Sequence, residues 1–222
     1  MIFLPGSKNT MGDLRWMRQN GLETAVKKLA VHIPVWGICG GYQMLGCTIS
    51  DPHGVENENS LREPLRGMEL IDTDTTLMPE KMRTQTRGKF ENVTGIFSTL
   101  SGLEFSGYEI HMGKTTVSTG EHQTPLVQLA DGRTDGVQRM EKGSEEPGVY
   151  GSYVHGIFDD GDIAVRIVQA LADKKRVSWK PEAGGDYHAF KEQQYDKLAQ
   201  GLREHLDMEY VYSILQESRI SV

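Results

Sequence analysis

The sequence predicts an α/β protein with a mostly parallel sheet and flanking helices, a β-rich middle segment and C-terminal helices. Three observations carry that expectation. Residues 1 to 50 alternate strand-sized apolar runs with helical patterns, the layout from which parallel sheets are built. From Asp51 the texture changes to Thr- and Gly-rich stretches with short alternating apolar runs. After His155 the apolar residues return to helical spacing.

Met1 to Leu4 reads as a short apolar strand and Pro5 to Thr10 as a polar turn. Asp13 to Asn20 is helical, with Gly21 as its stop. Leu22 to Val31 is a second helix, with Val26, Leu29 and Ala30 on its apolar face. Ile33 to Ile38 is a buried-type strand that runs straight into Cys39-Gly40-Gly41, and a helix follows from Tyr42 through Leu45. Asp51 to Glu63 is a polar loop. Further strands are expected at Met68 to Ile71, Arg83 to Phe90, Glu104 to His111, Thr115 to Ser118, Leu126 to Leu129, Val137 to Met140 and Val149 to Val154. Asp131-Gly132 and Glu145-Glu146-Pro147-Gly148 suit hairpin connections. Asp162 to Asp173 is a helix, residues 174 to 185 a linker, and Tyr187 to Leu206 and Glu209 to Glu217 the last two helices. The expected organisation is one domain over residues 1–222, with 174–222 as its helical extension. The chain opens on what reads as an interior strand, so the first strands of such a domain are expected to precede it.

Composition narrows the function classes. With 24 basic and 31 acidic residues the formal charge is −7, and the basic residues are scattered. Phosphate recognition needs them clustered, so a nucleic-acid partner is not expected. The apolar stretches are strand-sized and broken by Gly or Pro, so no membrane span is expected either. The opening residues lack the basic region and cleavage pattern of a signal peptide. Two cysteines, Cys39 and Cys47, are too few for a secreted disulfide scaffold, and no Cys or His cluster has zinc-ligand spacing. A reduced, cytoplasmic protein without a metal site fits these features.

Gly37-Ile38-Cys39-Gly40-Gly41 has the G-x-nucleophile-x-G form of a nucleophile elbow, with Cys in place of Ser. A side chain on a sharp strand-to-helix turn projects from the sheet edge, and its neighbours must be Gly where backbone passes close. The helix N-terminus is expected to favour thiolate and lower the Cys39 pKa. The Gly40 N–H would face a developing oxyanion. A merely buried core thiol is the alternative, but it leaves three glycines in five residues without a reason. Cys47 has no such turn around it and reads as a structural thiol.

A thiol nucleophile needs a base. Among seven histidines, His155 ends an apolar strand and precedes Gly156, at the C-terminal strand edge where α/β folds place catalysts. His111, after Tyr108-Glu109-Ile110, is the second choice. Pro5-Gly6-Ser7-Lys8-Asn9-Thr10 lacks the Walker spacing, because Lys8 follows Gly6 by only two. A turn that donates N–H groups to an oxyanion is the better functional reading, against that of a plain connection. Asp72 and Asp74, and Asp131 and Asp135, do not form a calcium loop and read as turn residues.

With Gly37-Ile38-Cys39-Gly40-Gly41-Tyr42-Gln43-Met44-Leu45-Gly46 in view, the chain resembles the class I glutamine amidotransferases, whose fold is flavodoxin-like. Pro5 to Thr10, Tyr108-Glu109-Ile110-His111-Met112-Gly113 and Tyr153-Val154-His155-Gly156-Ile157-Phe158-Asp159 resemble signature blocks of the cobyric acid synthase family, in the cobalamin-pathway branch. Tyr195-Asp196-Lys197-Leu198-Ala199, with Leu202-Arg203 and Leu206-Asp207, is similar too. The resemblance implies that Cys39 attacks the glutamine side-chain amide and that His155 moves the protons. It implies oxyanion donors at Gly40 and near Gly6 or Ser7, and a substrate contact at Gln43. Glu109 and His111 would line the glutamine pocket. Many class I members carry Glu two residues after the catalytic His; here that position is Ile157, as in the cobalamin branch. The resemblance further implies a synthetase domain or subunit as partner, which would use ATP and Mg to amidate side-chain carboxylates of adenosylcobyrinic a,c-diamide. No cofactor is expected in this chain itself. Neighbouring readings are cobyrinic a,c-diamide synthase, the enzyme that amidates lipid II, a catalytically silent interaction module and a free-standing thiol hydrolase. The Tyr108 to Gly113 block favours the first reading.

Overall fold

A computed structural model describes residues 1–56, 63–118, 122–140, 148–181 and 187–217. The chain separates into two compact units, Met1–Pro181 and Glu182–Val222. The boundary falls inside the expected linker, although a helix still occupies residues 174 and 175. The expected connections through 145–147 and 184–185, and most of the polar loop after Glu56, lie outside the described residues.

The first unit begins β1 (Ile2–Leu4), α1 (Thr10–Gln19), α2 (Leu22–Leu29), β2 (Val35–Ile38), α3 (Gly40–Leu45) and β3 (Thr48–Ser50). Helix α1 starts three residues earlier than expected because the Asn9 carboxamide caps it, accepting from Gly12 N at 3.0 Å. Gly21 then turns the chain with φ +74°. Val26 on α2 and Ala30 just past its end are buried one turn apart, but Leu29 is 43% exposed and leaves the predicted apolar face. There follow β4 (Leu65–Arg66), β5 (Thr73–Phe90), a 3-10 helix (Gly95–Leu100), β6 (Glu104–Val117), β7 (Gln123–Leu129), β8 (Thr134–Arg139), β9 (Val149–Ser152), β10 (Val154–His155) and α4 (Gly161–Lys175).

These strands form one mixed sheet in the order β1-β2-β9-β8-β7-β5-β3-β4, with β6 alongside β5 and β10 alongside β6. Strands β1, β2 and β9 are parallel, as are β3 and β5. The β-rich middle supplies the antiparallel pairings. Trp36 anchors the core with no exposure, stacking on Tyr150 at 5.0 Å and meeting Phe158 edge-on at 5.0 Å. The Tyr150 hydroxyl is satisfied by the Thr94 carbonyl at 2.9 Å.

Three expectations about strands change. The segment Met68–Ile71 buries Met68 and Ile71 but is not a strand. Its amides close the end of α3 instead: Met68 N donates to Met44 O, and Leu70 N and Ile71 N to Leu45 O. The single strand β5 extends ten residues before the expected Arg83, because its inward positions are Thr73, Thr75 and Leu77, and buried threonines give no apolar signal. Its partner β6 therefore runs unbroken from Glu104 to Val117, where two strands were expected. Pairing of β5 with β6 skips between Leu77 and Met82, around Pro79, which has no N–H to donate to the ladder.

In the second unit, α5 (Tyr187–His205) and α6 (Met208–Glu217) meet at Asp207. Its carboxylate accepts from Tyr210 N at 3.0 Å and caps α6, so α5 stops one residue before the expected Leu206.

Candidate active site

Cys39 occupies the one residue between β2 and α3, with φ 52° and ψ −108°. An L-residue holds such a backbone at a cost of about 1–3 kcal/mol. The glycines around it are required by contact. A Cβ on Gly41 would lie 2.1 Å from the Leu4 carbonyl oxygen, and one on Gly40 would lie 2.7 Å from Ser7 N. Gly41 N also donates to Pro5 O at 3.1 Å. The Pro5–Thr10 turn is thereby pressed against the elbow, with Ser7 N beside Gly40. The Ser7 hydroxyl bonds the Asp13 carboxylate and accepts from Asn9 N, which ties the turn to α1.

His155 reaches the site through a break in its strand, where the sequence reads one continuous run. At the end of β9, the buried Asp135 carboxylate accepts from Ser152 Oγ at 2.6 Å and from Tyr153 N at 3.0 Å. Val154 N then donates to Ser152 Oγ at 3.0 Å. The chain leaves the parallel register and pairs as β10 with β6, setting His155 opposite Tyr108. The two rings stack at 5.2 Å and 4°. A Cβ on Gly6 would lie 3.1 Å from His155 Cε1 and 3.7 Å from Cys39 Cβ. Gly6 thus separates the thiol and the imidazole by a backbone with no side chain. Asp135 is a buried strand residue of β8, not the turn residue expected; Asp131 does serve as one, accepting from Arg133 N at 2.9 Å.

The thiol does not behave as the sequence suggests. Burial pushes the Cys39 pKa up to about 11, the Gly40 N–H opposes this, and the negative charges of Glu56 and Asp135 add to the rise. Helix α3 has only six residues, so its dipole is too slight to reverse the loss of hydration. The His155 pKa is lowered, first by burial and then by repulsion from His111. Both groups are neutral near pH 7.

Cys39, Ser7, Gln43 and His111 line one cavity of about 250 Å³, together with Lys8, Glu56 and Lys81. His155 and Gly6 line an adjoining cleft with Tyr108. Glu109 lies elsewhere, against a cavity of about 770 Å³ that shares His111 and Lys81 with the first. There Arg133 Nη2 donates to its carboxylate at 2.8 Å. Nε2 of His111 approaches it at 3.7 Å, a charge neighbour beyond hydrogen-bond reach. His111, foremost, and Arg133 hold the Glu109 pKa down to about 2. The Gln43 amide donates to the Tyr153 hydroxyl at 3.2 Å, and the His111 ring stacks on Tyr153 at 3.8 Å. Ile157 is fully buried. Sequence reasoning missed Glu56, Arg133 and the roles of Tyr108 and Tyr153. The two tyrosines stand in the signature blocks, whereas Glu56 and Arg133 carry no local signal.

Residues 1–163 match the model of the CobB/CobQ-like glutamine amidotransferase domain. A cobyric acid synthase of Ruminiclostridium cellulolyticum is 46% identical over 219 residues, covering 98% of this chain and 41% of that protein. One from Lachnoclostridium phytofermentans is 38% identical over 225 residues, covering 98% and 42% respectively. This chain therefore spans about two fifths of the length of these relatives. A solved structure described as a glutamine amidotransferase aligns with a TM-score of 0.46 at 15% identity, over 77% of this chain and 76% of that one. With the family match extending over the elbow and both histidine-bearing strands, the chain belongs to the CobB/CobQ-like glutamine amidotransferase family.

Proposed function

We propose that this chain hydrolyses glutamine at Cys39 and supplies ammonia to an ATP- and Mg-dependent synthetase domain. That domain would amidate side-chain carboxylates of adenosylcobyrinic a,c-diamide in cobalamin biosynthesis. The observation that carries the glutaminase reading is the strained Cys39 on its glycine turn, with Ser7 N beside Gly40 and His155 across Gly6. The synthetase and its substrate are supported by the names of the relatives and by the length they have beyond this chain.

The residues act in sequence. Cys39 Sγ attacks the amide carbon while His155 takes the thiol proton, so no standing ion pair is needed. The oxyanion is met by the Gly40 N–H and the neighbouring Ser7 N–H. The C–N bond breaks, His155 passes the proton to the departing nitrogen, and ammonia leaves a glutamyl thioester. Water, activated by His155, then releases glutamate and restores the thiol. Gln43, held by Tyr153, contacts the substrate, and His111 closes the pocket wall next to it.

Ammonia release from glutamine tests this directly, alone and with a synthetase partner and ATP. Turnover is expected, together with covalent labelling of Cys39 by a glutamine-analogue alkylator, located by mass spectrometry. Silence in both assays, with partner present, would favour a non-catalytic module. The pH profile offers a second check. His155 must be neutral to act as base, and its pKa is lowered. The acid limb of kcat/KM is therefore expected at a pH below the ordinary imidazole value. A limb above that value would contradict a buried, neutral His155.

A further inference from the structure

Glutamine is a free α-amino acid, so a site that selects it must meet an ammonium and a carboxylate as well as the amide. Lysines 8 and 81 bring positive charge to the wall of the thiol cavity, and Glu56 is the carboxylate among its described lining residues. The setting of Glu56 is built rather than incidental. Asp51, itself buried, accepts from Val55 N at 2.7 Å and from Glu56 N at 3.0 Å, which clamps the backbone on entry. Oε2 of Glu56 then accepts from Met11 N at 2.9 Å in the first turn of α1. The segment after β3 is thus fastened to the helix that follows the Pro5–Thr10 turn.

Resting on the glutaminase reading, we infer that Glu56 recognises the α-ammonium of the substrate, making it the residue that selects a free amino acid over any other primary amide. Its half-buried carboxylate shares the cavity with Cys39, Lys8 and Lys81, so the amide can lie at the thiol while the zwitterionic end meets both signs of charge. The negative charge of Glu56 adds to the rise of the Cys39 pKa and so opposes charge developing on the sulfur during attack. A bound ammonium neutralises that carboxylate. Substrate without that group would leave the carboxylate facing the thiol uncompensated, and a site built for a charged group rejects analogues that lack it.

The test compares glutamine with 4-carbamoylbutanoate, which keeps the chain, amide and carboxylate but lacks the ammonium. Wild type is expected to prefer glutamine. Glu56→Gln keeps an acceptor for Met11 N and removes only the charge. It is expected to raise KM for glutamine roughly 10–100-fold, with a smaller change in kcat, and to leave KM for 4-carbamoylbutanoate within about threefold. Protection of Cys39 from iodoacetamide by each ligand gives the same comparison without turnover. Glu56→Asp, which retains the charge, is expected to recover part of the preference. Equal effects of Glu56→Gln on both ligands, or none on either, would overturn the assignment while Cys39-dependent turnover left the glutaminase reading standing. Wild type that neither hydrolyses glutamine nor is protected by it would overturn both.

Discussion

Cys39→Ala is expected to lower glutamine hydrolysis at least ~1,000-fold while leaving the fold intact. The alanine removes the sulfur that would carry the glutamyl group, and no second thiol can replace it. Cys47, the other cysteine, bonds the Ile71 carbonyl and does not line the Cys39 cavity. A surviving rate close to wild type would refute the nucleophile assignment outright. The same position allows a check on strain. Alanine inherits the φ of 52° and its cost, whereas glycine is free to adopt it. Cys39→Gly should therefore be more stable than Cys39→Ala, by about 1 kcal/mol after glycine's extra chain entropy is set against the strain relieved. Equal thermal midpoints for the two variants would mean that the elbow stores no strain.

Gly41→Ala is expected to damage stability and activity together. Its methyl would stand 2.1 Å from the Leu4 carbonyl oxygen and 2.6 Å from the Leu4 carbonyl carbon, both backbone atoms of β1. No side-chain rotation relieves such a contact, so either β1 slides against β2 or α3 tilts away. Overpacking of this kind costs about 3 kcal/mol or more, a fall of roughly 6–12 °C in Tm for a chain of this size. The displaced strand leads directly into Pro5 to Ser7, so the oxyanion donors should move with it, and hydrolysis by the folded fraction should fall too. Gly132→Ala is the control: its φ is +90°, but nothing lies within 4 Å of the added methyl. It should cost only about 1 kcal/mol. If the two variants melted alike, close approach of β1 would not be what demands glycine at 41.

Gly41 also indicates why this site was so legible. A strand, a strained residue and a helix that opens on two glycines are consecutive in the chain, and their backbone geometry is local. The histidine at the end of an apolar run is legible for a similar reason, since strand ends are where such folds expose side chains. Leu29 failed because the width of an apolar face depends on what it packs against. The Met68–Ile71 segment failed because burial alone does not tell a ladder partner from a helix cap. The threonine-rich start of β5 was invisible because Thr73 and Thr75 are buried without being apolar.

The sequence by itself determined the α/β class and the elbow at Cys39, and it singled out His155 as the partner proposed above, all from neighbours a few residues apart. Tertiary structure alone decided where the two residues sit and what surrounds them. Asp135 breaks the strand at Tyr153 and swings His155 towards β6. Glu56 is brought to the thiol from a polar loop, and burial turns the expected thiolate into a neutral thiol. Each of these depends on desolvation and charge summed over groups far apart in the chain, and local spacing carries no record of that sum.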